Sequence, residues 1–250
     1  MNRKYRRTLM VANWKMNKTP SETTEYIQQF WPLISARRRA TVVLCVPAVC
    51  VPSAVSAART TRIRIGAEDC HAEKYGAYTG EISAKMYQDA GCGYVILEAT
   101  ADNAAAISGK LRAVLTAGLH PILCIRVPNR TDAESNWQLA FVLDLALRDL
   151  PQEKLHNLII AYEAAEREVS DSPEQINAGC AFIRTFLKER YSAREARLIP
   201  VLCACDPNPS SAQAVLAEKN VDGLLVYQTG LVPQLFADLI AAAEQSGVPV

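Results

Sequence analysis

Two charged residues stand just past short apolar runs, where a buried strand would carry them to an open face. Glu163 ends Ile159-Ile160-Ala161-Tyr162, and Lys15 lies two positions beyond the run 8–13. A carboxylate at the end of an apolar strand can be desolvated and so made more basic, as removal of a proton next to a carbonyl requires. An ammonium above a neighbouring strand can bind an anionic substrate and stabilise a developing oxyanion. The spacing leaves the plain alternatives open: a surface lysine, and a carboxylate that caps its strand or pairs with a helix. Cys203 and Cys205 form a third candidate. They share strand parity, and with Glu163 or Asp206 they could make a soft-metal or redox site; small buried packing residues are the alternative.

Such residues need strands that end at a common face. Short apolar runs at 8–13, 41–46, 62–67, 93–97, 121–125, 157–162, 197–203 and 222–227 read as eight strands. The intervals carry helical patterns. Thr19-Pro20-Ser21-Glu22 and Ser172-Pro173-Glu174-Gln175 each give a capping hydroxyl, a proline at the first helical position and an acid or amide at the third. Gly118 reads as the glycine that ends a helix. Strands apolar on both faces and separated by helices predict a parallel sheet. Eight such units in 250 residues predict an α/β fold of (β/α)8 TIM-barrel type, whose chemistry sits at the C-terminal strand ends. Pro200, inside the seventh run, lacks a ladder donor and predicts a local bulge.

Half of the 250 residues are apolar, enough to bury a full core, and no linker or low-complexity segment divides the chain, so residues 1–250 read as a single barrel domain. Lys plus Arg number 27 against 26 Asp plus Glu, a balance of +1 that advertises neither a nucleic-acid partner nor an anionic membrane surface. Arg37-Arg38-Arg39 reads as a solvated helix end. The eight cysteines lack C-x-x-C pairs and the density of a secreted scaffold, which fits a reducing cytosol. The basic start, residues 1–7, precedes an apolar stretch too short for a signal sequence, and no run approaches the roughly 18 apolar residues of a membrane span. A cytoplasmic protein is expected.

The segments "VANWKMNKT", "YGAYTGEIS", "AGLHPILC", "IAYE" and "SPEQ…AFIR" stand in the order and nearly the spacing of their counterparts in triosephosphate isomerases, so that the chain resembles that family from residue 11 to about 186. The resemblance implies a cytosolic homodimer of barrels that interconverts dihydroxyacetone phosphate and glyceraldehyde 3-phosphate without a cofactor. In that family a Glu acts as base and a neutral His as electrophile beneath a closing lid. Lys15 matches the substrate lysine, Asn13 its hydrogen-bonding neighbour and Glu163 the catalytic base. Residues 75–83 match the loop that enters the neighbouring subunit near Asn13 and Lys15.

Other positions depart from the family. Aligned without gaps, "GYVILEATAD" puts Ala99 where the catalytic His belongs and Glu98 at the preceding Gly, pointing away from the mouth if alternation holds. Ala101 and Asp102 replace the following acid and arginine, and Arg126-Val127 replaces a Gly-Glu pair. The histidines at 71, 120 and 156 are not placed to substitute. The glycine turns that receive phosphate after strands seven and eight read Cys203-Ala204-Cys205-Asp206 and Tyr227-Gln228, with Asp206 set to repel a dianion. The lid, residues 164–171, is short and acidic.

The resulting expectation is a family member without efficient triose-phosphate catalysis, kept for binding, assembly or regulation. The alternatives are a proton-transfer isomerase acting on a small, altered carbonyl ligand through Glu163 and Lys15, and residual activity on the triose phosphates. No metal or cofactor is called for, and the expected partner is a second copy of the chain.

Overall fold

Eight parallel strands hydrogen-bond in chain order and close on themselves in this computed structural model, which describes residues 8–37, 39–127, 133–164 and 172–245. The strands are β1 (Thr8–Asn13), β2 (Ala40–Val46), β3 (Arg64–Ala67), β4 (Tyr94–Ala99), β5 (His120–Val127), β6 (Ile159–Ala164), β7 (Val201–Ala204) and β8 (Gly223–Val226). Around them lie α1 (Pro20–Ile34), α2 (Val51–Ala58), α3 (Ala84–Asp89), α4 (Ala104–Thr116), α5 (Ala133–Ala146), α6 (Pro173–Arg190), α7 (Glu195–Leu198), α8 (Pro209–Ala217) and α9 (Pro233–Gln245). This is the expected (β/α)8 TIM barrel. No described helix is long and apolar enough to cross a membrane.

Alternation divides the core into two layers. Leu9, Val11, Val43, Cys45, Ile96, Ile122 and Leu225 fill the barrel interior, while their strand neighbours Met10, Leu44, Val95, Leu123 and Leu224 meet the helices. Closure rests on β8 lying against β1, with Gly223 opposite Leu9. A Cβ at Gly223 would stand 1.8 Å from the Leu9 carbonyl oxygen, so glycine alone permits that approach.

Both predicted capping boxes form. Glu22 accepts from the Thr19 amide at 2.7 Å and Thr19 Oγ1 from the Glu22 amide at 3.4 Å; Gln175 and Ser172 do the same at 2.9 and 3.3 Å. Such a cap is worth about 1 kcal/mol. Gly118, at φ +75°, follows the end of α4 as predicted. Beneath the barrel, the buried Arg184 side chain donates to the carbonyls of Ala196, Ile199 and Asn220 and to the Asp222 carboxylate, tying α6 to the start of β8.

Several strand readings need correction: β5 and β6 each run two residues further than read, so Arg126 and Glu163 lie within their strands, and β3 and β6 begin two residues later. The seventh strand begins only at Val201, because one helical turn, α7, takes residues 195–198. Pro200 therefore precedes the ladder instead of interrupting it, and its carbonyl accepts from the Ile160 amide at 3.0 Å. No bulge is needed. β4 runs two residues further than expected, through Glu98 and Ala99.

Candidate active site

The C-terminal strand ends bring Asn13, Lys15, Glu98, Arg126, Glu163 and Tyr227 to one mouth. Asn13 closes β1, is buried, and its Oδ1 accepts from the Lys15 amide at 3.2 Å. Lys15 adopts φ +52°, a left-handed conformation that costs a side-chain-bearing residue roughly 1–2 kcal/mol. Its Nζ lies 3.8 Å from Glu98 Oε1 and 4.6 Å from the centre of the Tyr227 ring. Asn13 and Lys15, the two residues predicted at the end of the first strand, thus meet, and the lysine is aimed across the opening.

Glu163 closes the inward face of β6 and is buried. Arg126, its register partner on β5, holds both carboxylate oxygens: Nε to Oε2 at 3.1 Å, Nη2 to Oε1 at 3.2 Å and Nη2 to Oε2 at 3.0 Å. Below them, the Cys124 thiol lies 3.9 Å from Glu163 Oε2 and 4.0 Å from the Tyr227 hydroxyl. Burial, reinforced by Cys124 and by the Glu163 charge, raises the Tyr227 hydroxyl well above the ordinary tyrosine range. It is therefore a neutral hydrogen-bonding group at any physiological pH. Both Glu163 oxygens already accept from Arg126, so a proton bound there competes with the guanidinium.

Glu98 faces the mouth, contrary to the alternation expected for it. Tyr94 and Ile96 point into the barrel, so Glu98 does too, and no bulge intervenes: Glu98 lies opposite Cys124 and Ala99 opposite Ile125. Ala99, the position aligned with the family's His, is fully buried in the layer between barrel and helices. Glu68, just past β3, adds a second acid. Burial pushes its carboxyl up to about 8, with Glu98 adding to the shift and the Lys15 amide and ammonium opposing it. Its Oε1 is buried with no hydrogen-bond partner. The mouth sets Lys15 against Glu98 and Arg126 against Glu163, so each of its cations already has a carboxylate partner.

Asp206 stands beyond β7, where a repelling acid was expected. Its carboxylate instead accepts from the amides of Tyr227 at 2.8 Å, Gln228 at 3.0 Å and Thr229 at 3.3 Å, and from Thr229 Oγ1 at 2.9 Å. The first turn after β8 points its donors at one spot, as helix starts do, and an internal anion fills it.

The histidines lie elsewhere. His120 begins β5 and stacks on Tyr94 at 4.9 Å, His156 belongs to the 3-10 turn before β6, and His71 lies against the Tyr78 ring in a tilted contact at 4.0 Å. Cys203 faces the helix layer, away from Glu163, and among the described residues no group of three or more His, Cys, Asp or Glu is placed to hold a metal ion. Of the expected lid, residues 165–171 lie outside the described residues.

Sequence reasoning missed Glu98, Arg126 and Tyr227 as members of the mouth. Counting alternate residues from Ile96 and Cys124 would have found the first two. Nothing local signals that Asp206 reaches a turn 21 residues away.

The family model described as triosephosphate isomerase matches residues 8–243. The triosephosphate isomerase of Symbiobacterium thermophilum is 30% identical over 256 residues, covering 96% of this chain and 98% of its own length, and that of Clostridium botulinum strain Langeland is 29% identical, covering 94% and 99%. The crystal structure of triosephosphate isomerase from Bartonella henselae superposes with a TM-score of 0.83 at 27% identity, over 96% of this chain and all of that one. With the family model matched across nearly the whole of a chain that folds as a closed eight-stranded barrel, the chain belongs to the triosephosphate isomerase family.

Proposed function

We propose that this barrel does not interconvert triose phosphates efficiently and serves a binding, assembly or regulatory role, as a pseudoenzyme of its family. The observation that carries this reading is the Asp206 carboxylate on the amides of Tyr227, Gln228 and Thr229. A phosphate dianion would have to displace a covalently tethered anion from those donors. Two further features agree: Ala99 offers no electrophile, and Glu163 is gripped by Arg126. Loss of one preorganised electrophile costs about 10²–10³ in rate, and loss of phosphate binding removes energy otherwise used in the transition state. The test is a coupled assay in both directions beside thermal melts with phosphoglycolate. Turnover at a rate ordinary for an enzyme, or a melting temperature raised several degrees by millimolar phosphoglycolate, would refute the reading.

A second reading is a proton-transfer isomerase acting on a small unphosphorylated carbonyl compound. Lys15 favours it, since strained backbone that aims an ammonium across a mouth is a feature of working sites. Here Asn13 fixes the Lys15 backbone, Lys15 stabilises an enolate oxygen, and Glu163 takes the proton after releasing Arg126. A ligand screen by saturation transfer separates the readings, because a tight carbonyl ligand whose binding is lost in Lys15→Ala supports the second.

The same reading makes residues 1–250 one functional domain, cytoplasmic and dimeric through residues 75–83. Tyr75 is 80% exposed and Tyr78 46% exposed in the single chain, on a loop that a partner would cover. Sedimentation as a monomer at micromolar concentration would exclude the dimer.

A further inference from the structure

We propose that Cys203 and Cys205 form a thiol–disulfide couple that exchanges electrons with small-molecule disulfides of the glutathione class. Their sulfur atoms are 3.2 Å apart, closer than the contacts of Cys124 at 3.9 and 4.0 Å. The pair lies on the outward face at the end of β7: Leu202 and Ala204 point into the barrel, whereas Val201 and Cys203 pack toward the helices and Cys205 packs against them. Its chemistry is therefore separate from the mouth, and the proposed function can fail without affecting it.

The geometry allows closure under strain. Two residues of extended strand span ~6.6 Å, near the upper limit of roughly 6.8 Å between the Cα atoms of a disulfide. The sulfurs need approach by only roughly 1 Å to reach a bond of about 2.05 Å. The backbone cannot relax freely, because Cys203 is registered against Leu224 and the Cys205 amide donates to the Leu225 carbonyl at 3.0 Å. A strained bond of this kind is readily reduced, which suits exchange and not permanent cross-linking.

The two thiols are also unequal in access. Cys205 is half-buried and reachable, whereas Cys203 is 3% exposed and sits behind it. Cys180, nearby on α6, is fully buried, and burial pushes its thiol up to about 12, so it stays protonated and does not compete. The Cys205 thiol loses its proton to solvent and attacks one sulfur of the oxidant, whose S–S bond breaks. One thiolate leaves and a mixed disulfide remains on Cys205. Cys203 then gives up its proton and attacks the Cys205 sulfur, expelling the second thiolate. The dithiol loses two electrons and two protons, and the oxidant becomes two thiols.

The test incubates the reduced, native protein with glutathione disulfide, quenches with acid and reads intact and peptide masses. The expected product lacks two hydrogens, carries an internal disulfide in the peptide holding residues 203–205, and reverts in excess reduced glutathione. Cys203→Ser should trap a persistent glutathione adduct on Cys205, and Cys205→Ser should be inert. A persistent adduct on Cys205 of the unmodified protein, or no reaction at these residues short of denaturation, overturns the proposal. The measurement on the unmodified protein decides the matter even if either variant folds poorly.

Discussion

Arg126 holds both carboxylate oxygens of Glu163 from the adjacent strand, with three contacts between 3.0 and 3.2 Å. The pair is lopsided: the Glu163 side chain is 6% exposed and the Arg126 side chain 41%. Removing the arginine therefore leaves a carboxylate with little water to replace it. Arg126→Ala should cost about 3 kcal/mol of stability, read by urea unfolding at pH 7. Adding Glu163→Gln should recover part of that loss. If the two losses simply add, the contact is a surface pairing of little consequence.

The Asp206 carboxylate is the second anion that fills a place of its own. Asp206→Ala exposes the amides of Tyr227, Gln228 and Thr229 without their acceptor and should destabilise the protein by about 1–2 kcal/mol, as loss of a helix cap does. Inorganic phosphate at tens of millimolar should then raise the melting temperature of the variant and leave the unmodified protein unchanged. Equal response of the two proteins would show that phosphate binds somewhere else.

Much of this arrangement was legible in the sequence. Eight apolar runs and two capping boxes located the barrel, because parallel strands buried on both faces leave near-continuous apolar segments. Asn13, Lys15 and Glu163 could be placed because each closely follows such a run. The reading failed where a residue's partner is distant or its parity was anchored wrongly. Glu98 reads as outward when alternation is counted from the position of the missing histidine, whereas Ile96, two residues earlier on the same strand, points into the barrel. Arg126 read as a loss, because its partner lies 37 residues away on the next strand. Pro200 reads as an interruption only if the strand begins at Arg197, whereas α7 occupies residues 195–198.

Ala99→His should not restore triose-phosphate interconversion. The Ala99 side chain is fully buried between barrel and helices, so an imidazole there meets packed neighbours instead of the mouth. Overpacking should cost about 1–3 kcal/mol, and the coupled assay should show no gain. Recovered turnover would mean that the end of β4 rearranges to turn residue 99 inward.

Glu68 provides a pH test. Its carboxyl is raised to about 8 in the folded chain, from an ordinary value of 4.5, chiefly by burial. Below pH 4.5 both folded and unfolded chains carry the proton, and Glu68 adds no pH dependence. Between 4.5 and about 8 the unfolded chain ionises while the folded chain stays protonated, so the folded state binds more protons and stability falls as pH rises. Above about 8 both are ionised and the penalty is constant. Glu68→Gln removes the ionisable group while keeping its shape and one acceptor oxygen. Its melting temperature should therefore gain on that of the unmodified protein steadily from pH 5 to pH 8, then hold a fixed lead. Thermal melts across that range in one buffer series check this, and a gap that stays constant or closes with rising pH would mean that Glu68 is already ionised in the folded barrel, held so by Lys15.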